Sequence, residues 1–431
     1  NHLCPKKLIY KIKMKLMKKF FLPLIAIFAL VLSVSCSSND DGPIIDPDPD
    51  PVNNKLSGQI TSDMTLTNDV IWELDGRVTV TSGATLTINE GTIIKAYAGQ
   101  EASAAVLIVA RGAKIEANGT ADKPIIFTSI ADNIALGQKS GTNLTENDRG
   151  LWGGVIILGK AKASLSGDAL ENQIEGIPAS DTNGLYGGSD NADDSGTMNY
   201  VSIRHGGTSI GDGNEINGLT LGAVGTGTSI SNIEVVANVD DGIEWFGGSV
   251  NVSNAIVWAC GDDALDIDEA YSGTISNSVA ILGNVSDHAL EIDGPAGSLE
   301  GRFTLDGITL IGNTTTENGE YADLRDRAMG TLKNIYAVGF KADSDVELDN
   351  NAVAQNFLDG KLSFSNWTVS LPNGVTEAKN IFAEKTGEGE SQIILNPTFT
   401  ERAASWATAG NSGGANLSSF SWTYAKSKGA L

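Results

Sequence analysis

Cysteine is almost missing. The chain holds Cys4, Cys36 and Cys260. The first two fall in the segment read below as upstream sequence and lipidation signal. That leaves Cys260 alone in the folding part, so an internal disulfide framework is excluded. Cys260 ends an apolar run and reads as a small buried hydrophobe. Histidine is as scarce. Past the leader only His205 and His288 remain, which argues against a His-rich zinc centre. There is no Walker loop. Basic residues are few too. The first 35 residues hold 7 Lys and no acid, so of 29 basic residues 22 remain against 53 acidic, a net charge of −31. Nucleic acid and anionic membrane surfaces are poor partners for such a chain, whereas divalent cations, cationic partners and neutral glycans suit it. Helical periodicity is absent from Thr228–Gly294.

What is present is a repeat. Three consecutive units open alike: Ile230-Ser231-Asn232, Val252-Ser253-Asn254 and Ile275-Ser276-Asn277. An apolar run follows each, then an acidic corner and a short alternating strand: Asp240-Asp241-Gly242-Ile243-Glu244, Asp262-Asp263-Ala264-Leu265-Asp266, Asp287-His288-Ala289-Leu290-Glu291. The three Asn lie 22 and 23 residues apart. That length suits one coil of a solenoid and is too short to fold alone. The expected fold is all-β, a single right-handed parallel β-helix with irregular coils of about 22–32 residues over 55–431. Asn232, Asn254, Asn277, Asn334 and Asn366 are expected to stack as a structural column, with Gly307 standing in for one coil. Asn tolerates left-handed backbone, and its amides can hydrogen-bond from coil to coil.

Alternation places Glu244, Asp266, Glu291, Asp323 and Glu347 in one outward column, and Phe246, Asp268, Asp293, Arg325 and Asp349 in a second. Carboxylates one strand spacing apart repel by about 3.5 kcal/mol at an effective dielectric of 20. Partial protonation, pairing with Arg325 or a bound cation would relieve this. Glu244, Asp266, Asp268, Glu291 and Asp293 are therefore candidate ligands for Ca2+, whose preference is for oxygen. The competing reading is a solvated acidic face. No catalytic residue is assigned. Trp245, Phe246, Trp258 and Tyr271 are candidates for sugar stacking, although parity turns Trp245 inward. Asn191–Gly196 faintly resembles a calcium loop without its terminal acid. Gly207-Thr208-Ser209-Ile210-Gly211 matches a nucleophile elbow but lacks the helix that motif needs.

The ends carry an address. Asn1–Lys13 reads as translated upstream sequence, with Met14 or Met17 as the start. Lys18-Lys19, the apolar Phe20–Val34 and Cys36 form a lipoprotein signal, so 1–35 is expected to be upstream sequence plus signal peptide. Residues 36–54 form a lipidated Cys and an Asp/Pro tether. An excursion is expected at 166–198, and Phe420–Tyr424 is expected to cap the open end. The run Val109-Ala110-Arg111-Gly112-Ala113 to Ser129, with Trp152-Gly153-Gly154-Val155 and Asp240-Asp241-Gly242-Ile243-Glu244-Trp245-Phe246-Gly247-Gly248, resembles a family of surface β-helix lipoproteins of Bacteroidetes-type bacteria. The resemblance implies the β-helix and the cell surface, and carries no established activity; Ser37-Ser38-Asn39-Asp40-Asp41 resembles the acidic export signal that sends such lipoproteins to the outer face of the outer membrane. The resulting expectation is a monomeric, surface-anchored, non-enzymatic module for an extracellular glycan or surface protein. The alternative is a calcium-dependent polysaccharide lyase or glycoside hydrolase, activities that β-helices also host.

Overall fold

Parallel pairing starts with Lys55–Ile60 on Ile71–Val80 and runs coil by coil to Ala407–Ala409 on Leu362–Val369. The computed structural model describes residues 53–100, 103–208, 216–385 and 395–431. Cys36, the leader and the tether as far as residue 52 lie outside the described residues, as does most of the elbow-like Gly207–Gly211. Within them, one 24-stranded parallel sheet winds into a right-handed β-helix. Its inner columns are aliphatic and closed to water, for example Leu219, Ile243, Leu265, Leu290, Ala322 and Val346.

The long strand of each coil turns at a left-handed residue. Asn232, Asn254, Asn277, Asn334 and Asn366 take φ of 52°, 56°, 46°, 57° and 52°, and Gly307 takes 73°. Asn and Gly are the residues that accept this conformation most cheaply. The amides bond in series: Asn254 Nδ2 donates to Asn232 Oδ1 at 3.1 Å, and Asn366 Nδ2 to Asn334 Oδ1 at 2.6 Å. Gly307 has no amide, and Asn334 donates instead to the neighbouring Asp306 at 2.6 Å. Tyr200, at φ 51°, holds the same place one coil before Asn232.

Two segments cover outer faces of the rod. The excursion, which contains the antiparallel pair Asn172–Gln173 and Leu185–Tyr186, ends where the strand Gly196–Arg204 begins. Its Leu165, Ile174, Ile177 and Tyr186 pack on Val106, Ile108, Ile156, Leu158 and Phe246. The C-terminal segment differs from the expected end cap. It forms the short helices Leu417–Phe420 and Tyr424–Ser427, which lie along the side of the rod on Val236, Ile256, Trp258 and Ile281. Tyr424 stacks over the buried Arg204 guanidinium at 4.6 Å, and the Ala425 N–H donates to Glu234 at 2.8 Å. The last coils are plugged by aromatics instead, with Phe357, Phe364, Phe399 and Trp406 in mutual contact.

Candidate functional site

The short strands Ile243–Phe246, Leu265–Asp268, Leu290–Ile292, Ala322–Leu324 and Val346–Leu348 pair in register. Glu244 aligns with Asp266, Asp266 with Glu291, Glu291 with Asp323 and Asp323 with Glu347. The parity of each strand sends its apolar residues inward and these acids to one outer face.

That face is not a freely solvated one. Glu244 is 6% exposed and Glu347 7%. The side chains of Glu291 and Asp323 are 12% and 15% exposed. Burial penalises the charged form. It pushes Glu244 and Asp266 well above the usual carboxylate range, with neighbouring carboxylates adding to the shift. By burial first, Asp293 rises to about 7, Asp323 to about 6 and Glu347 to about 7. Arg325 and Lys385 bring positive charge to the ladder, and His288 Nδ1 lies 3.7 Å from Glu291. Arg325 contacts Glu291, reaches Asp293 Oδ1 through Nε at 2.8 Å and approaches Asp323 at 3.6 Å. Lys385 contacts Glu347 and lies 3.5 Å from Asp345.

The five candidate calcium ligands do not form one site. Glu244 and Asp266 gather with Asp241, their oxygens within 4.8 Å of one another. Glu291 instead joins Asp263 and His288. Asp268 and Asp293 line a separate cavity of about 480 Å³ with Asp326 and Arg327. Further groups that can hold a cation are Asp240, Asp241 and Asp262; Glu320, Asp345 and Glu347; and Asp323, Glu347 and Asp349. Asp241, Asp263 and His288 were visible as the acidic corner of each repeat. Their corner places them beside the strand column, which strand parity alone does not reveal.

The Asp241, Glu244 and Asp266 group fits a divalent cation on three observations. All its donors are carboxylate oxygens. Asp266 Oδ1 is buried without a hydrogen-bond partner. So is Oδ1 of Asn217, a residue 1% exposed whose Nδ2 donates to Glu244. Orphaned buried oxygens are costly, and a hard cation satisfies them. Glu175 of the excursion also faces Asn217, at 3.4 Å, so the excursion closes this end of the ladder. Tyr186 fastens it, donating towards both Glu269 oxygens at 2.9 and 2.8 Å.

The aromatic candidates offer no stacking platform. Trp245 and Tyr271 are fully buried, and Phe246 and Trp258 are each 8% exposed beneath the excursion and the C-terminal segment. His205 and Arg204 are likewise buried, with His205 Nδ1 2.8 Å from the Asp148 carbonyl. The calcium-like loop is spent locally: Asn191 Oδ1 accepts from the Lys162 N–H, and Asp194 pairs with Lys114.

A family model described as a pectate-lyase like beta helix domain matches residues 58–425. No curated protein and no solved structure matches the chain.

Proposed function

The chain belongs to the pectate-lyase-like β-helix family, and from that footing we propose that it cleaves polysaccharides hydrolytically along the carboxylate ladder, with Ca2+ held by Asp241, Glu244 and Asp266. The observation that carries this reading is a row of neighbouring carboxyls poised near neutrality. Asp323 and Glu347, in register on adjacent coils, rise to about 6 and about 7, mainly through burial. Hydrolysis of a glycosidic bond needs one carboxyl that holds a proton beside one that does not. Elimination needs a free base, and Arg325 is engaged by three carboxylates. A cation bound at the first group would supply the charge that lets its three carboxylates stay ionised when stacked.

A non-enzymatic glycan- or protein-binding module is the second reading. It is favoured by the cavity of about 480 Å³ beside the ladder, where Asp268, Asp293, Asp326 and Arg327 offer polar groups to a ligand. For location we propose the outer face of the outer membrane, through a lipid on Cys36. The support is the Lys18-Lys19, Phe20–Val34 and Cys36 sequence, together with the acidic Asp40-Asp41 that follows. Cys36→Ser is expected to move the protein out of the membrane fraction, and unchanged fractionation would contradict the anchor.

A panel of neutral and acidic glycans, scored for binding, reducing ends and unsaturated products, tests the activity. Reducing ends without unsaturated products, lost on chelation, are expected. Unsaturated products would show elimination instead. Binding without any product would establish the module, and neither binding nor product would overturn both readings.

A further inference from the structure

The acidic ladder ends where the excursion begins. One coil before Glu244, the strand Leu219–Gly222 carries Thr220 at the ladder position, aligned with Glu244. One coil earlier still, Val155–Leu158 carries Ile156 there, and the excursion packs on it. Ile174 and Ile177 anchor that packing, at 1% and 5% exposed. Glu175 stands between these anchors. Its Oε1 lies 3.4 Å from Asn217 Nδ2, the atom that also contacts Glu244 and lies 3.5 Å from Thr220 Oγ1. The carboxyl of Glu175 faces that of Glu244 as well. Apolar packing on both sides of Glu175 thus brings a further carboxylate to the edge of the group formed by Asp241, Glu244 and Asp266.

Among the described residues none of these acids forms an ion pair. Arg325 and Lys385 are engaged farther along, at Glu291, Asp293 and Asp323 and at Asp345 and Glu347. The N–H end of the Asn217 amide stands in for a cation instead. That orientation leaves Asn217 Oδ1 without a partner in a side chain only 1% exposed, and an unpaired buried oxygen is costly. Turning the amide over exchanges its two ends and sets Oδ1 between Glu175 and Glu244. Only a cation at that place makes such an arrangement favourable. Asp266 Oδ1 is a second buried oxygen without a partner in the same group.

Building on the calcium site assigned above, we propose that Glu175 and Asn217 Oδ1 join Asp241, Glu244 and Asp266 as ligands, so that calcium straps the excursion's turn at 171–178 onto the end of the ladder. Calcium takes about 6–8 oxygens in a flexible geometry, so side chains from two remote segments suit it, with water completing the shell. Glu175 lies in the covering and the other ligands in the rod, so one ion joins the two directly. Without it the carboxylates repel one another. The turn is then held by its isoleucines and by the pairing of Arg111 with Glu171.

The test is calorimetric titration of the full chain with calcium chloride, together with amide hydrogen exchange in calcium and in chelator. In the wild type, calcium should slow exchange over 171–178 as well as around Asp241 and Asp266. Glu175→Gln should bind calcium more weakly by roughly 10–100-fold. At saturating calcium this variant should keep the slowed exchange around Asp241 and Asp266 and lose it over 171–178. Asn217→Asp, which offers an oxygen in either orientation, should bind at least as tightly as the wild type, and weaker binding would overturn the amide oxygen as a ligand. A wild-type turn whose exchange ignores calcium would overturn the strap and leave the site at Asp241, Glu244 and Asp266 intact. So would a Glu175→Gln protein that matches the wild type in affinity and in protection. A wild type that binds no calcium would overturn that site and the strap with it.

Discussion

Asn254 shows how a single residue type is forced by the backbone. Its φ of 56° is left-handed, its amide donates to Asn232, and Asn277 donates to it in turn. Asn254→Ala removes both bonds and leaves a side chain that resists this conformation. The expected cost is roughly 2–4 kcal/mol, from two hydrogen bonds and left-handed strain. Asn254→Gly keeps the conformation and should cost less. Chemical denaturation of the two variants checks the order, and an Ala variant as stable as the Gly variant would contradict the strain argument. This column was legible because few residue types accept the conformation. Tyr200 was not, since an aromatic at a left-handed position announces nothing in the sequence.

Among the elements, the coils and the place of the excursion were legible, whereas the faces that the excursion and the C-terminal segment cover were not. The signal was present in the outward positions. The strands Val106–Val109 and Val155–Leu158 are apolar at every position, and both faces of each are buried. A run without alternation marks a strand covered on both sides. The excursion covers these, and the C-terminal segment covers Val236, Ile256 and Trp258. What covers them is decided by contacts far apart in sequence, such as Tyr424 with the Leu144 carbonyl at 3.0 Å. Tyr424→Ala should cost about 3–5 kcal/mol, because it empties an aromatic site and uncovers Arg204 and Glu234, which are 2% and 0% exposed. A melting curve unchanged by this variant would show that the segment is not needed for stability.

The whole rod carries the consequence of stacking acids in register. That register could be read from parity and repeat length alone, including the alignment of Asp323 with Glu347. How deeply the acids are buried could not, because the covering segments and the corner residues set it. Chiefly through burial, Asp293 is pushed up to about 7, Asp323 to about 6, and Glu320 and Glu347 to about 7. Unfolded carboxyls titrate near 4. The folded state therefore holds these protons more tightly. The stabilisation they give is complete below about pH 4 and is lost as pH rises through about 6–7. In chelator, the ladder's contribution should make the protein melt lower at pH 8 than at pH 5. A melting temperature independent of pH over that interval would contradict the burial of the ladder.

Calcium should add stability of its own at that pH, because it favours the ionised carboxylates of Asp241, Glu244 and Asp266. The most direct measurement is the melting temperature at pH 8 and constant ionic strength, in calcium and in chelator, for the wild type and for Asp266→Asn. At a calcium concentration 100 times its dissociation constant, binding to the native state alone adds about 2.7 kcal/mol. A clear rise with calcium is expected in the wild type. A blunted rise is expected in Asp266→Asn, which should be the more stable of the two in chelator because one repelling charge is gone. A wild-type curve that is the same in calcium and in chelator would contradict a cation at Asp241, Glu244 and Asp266.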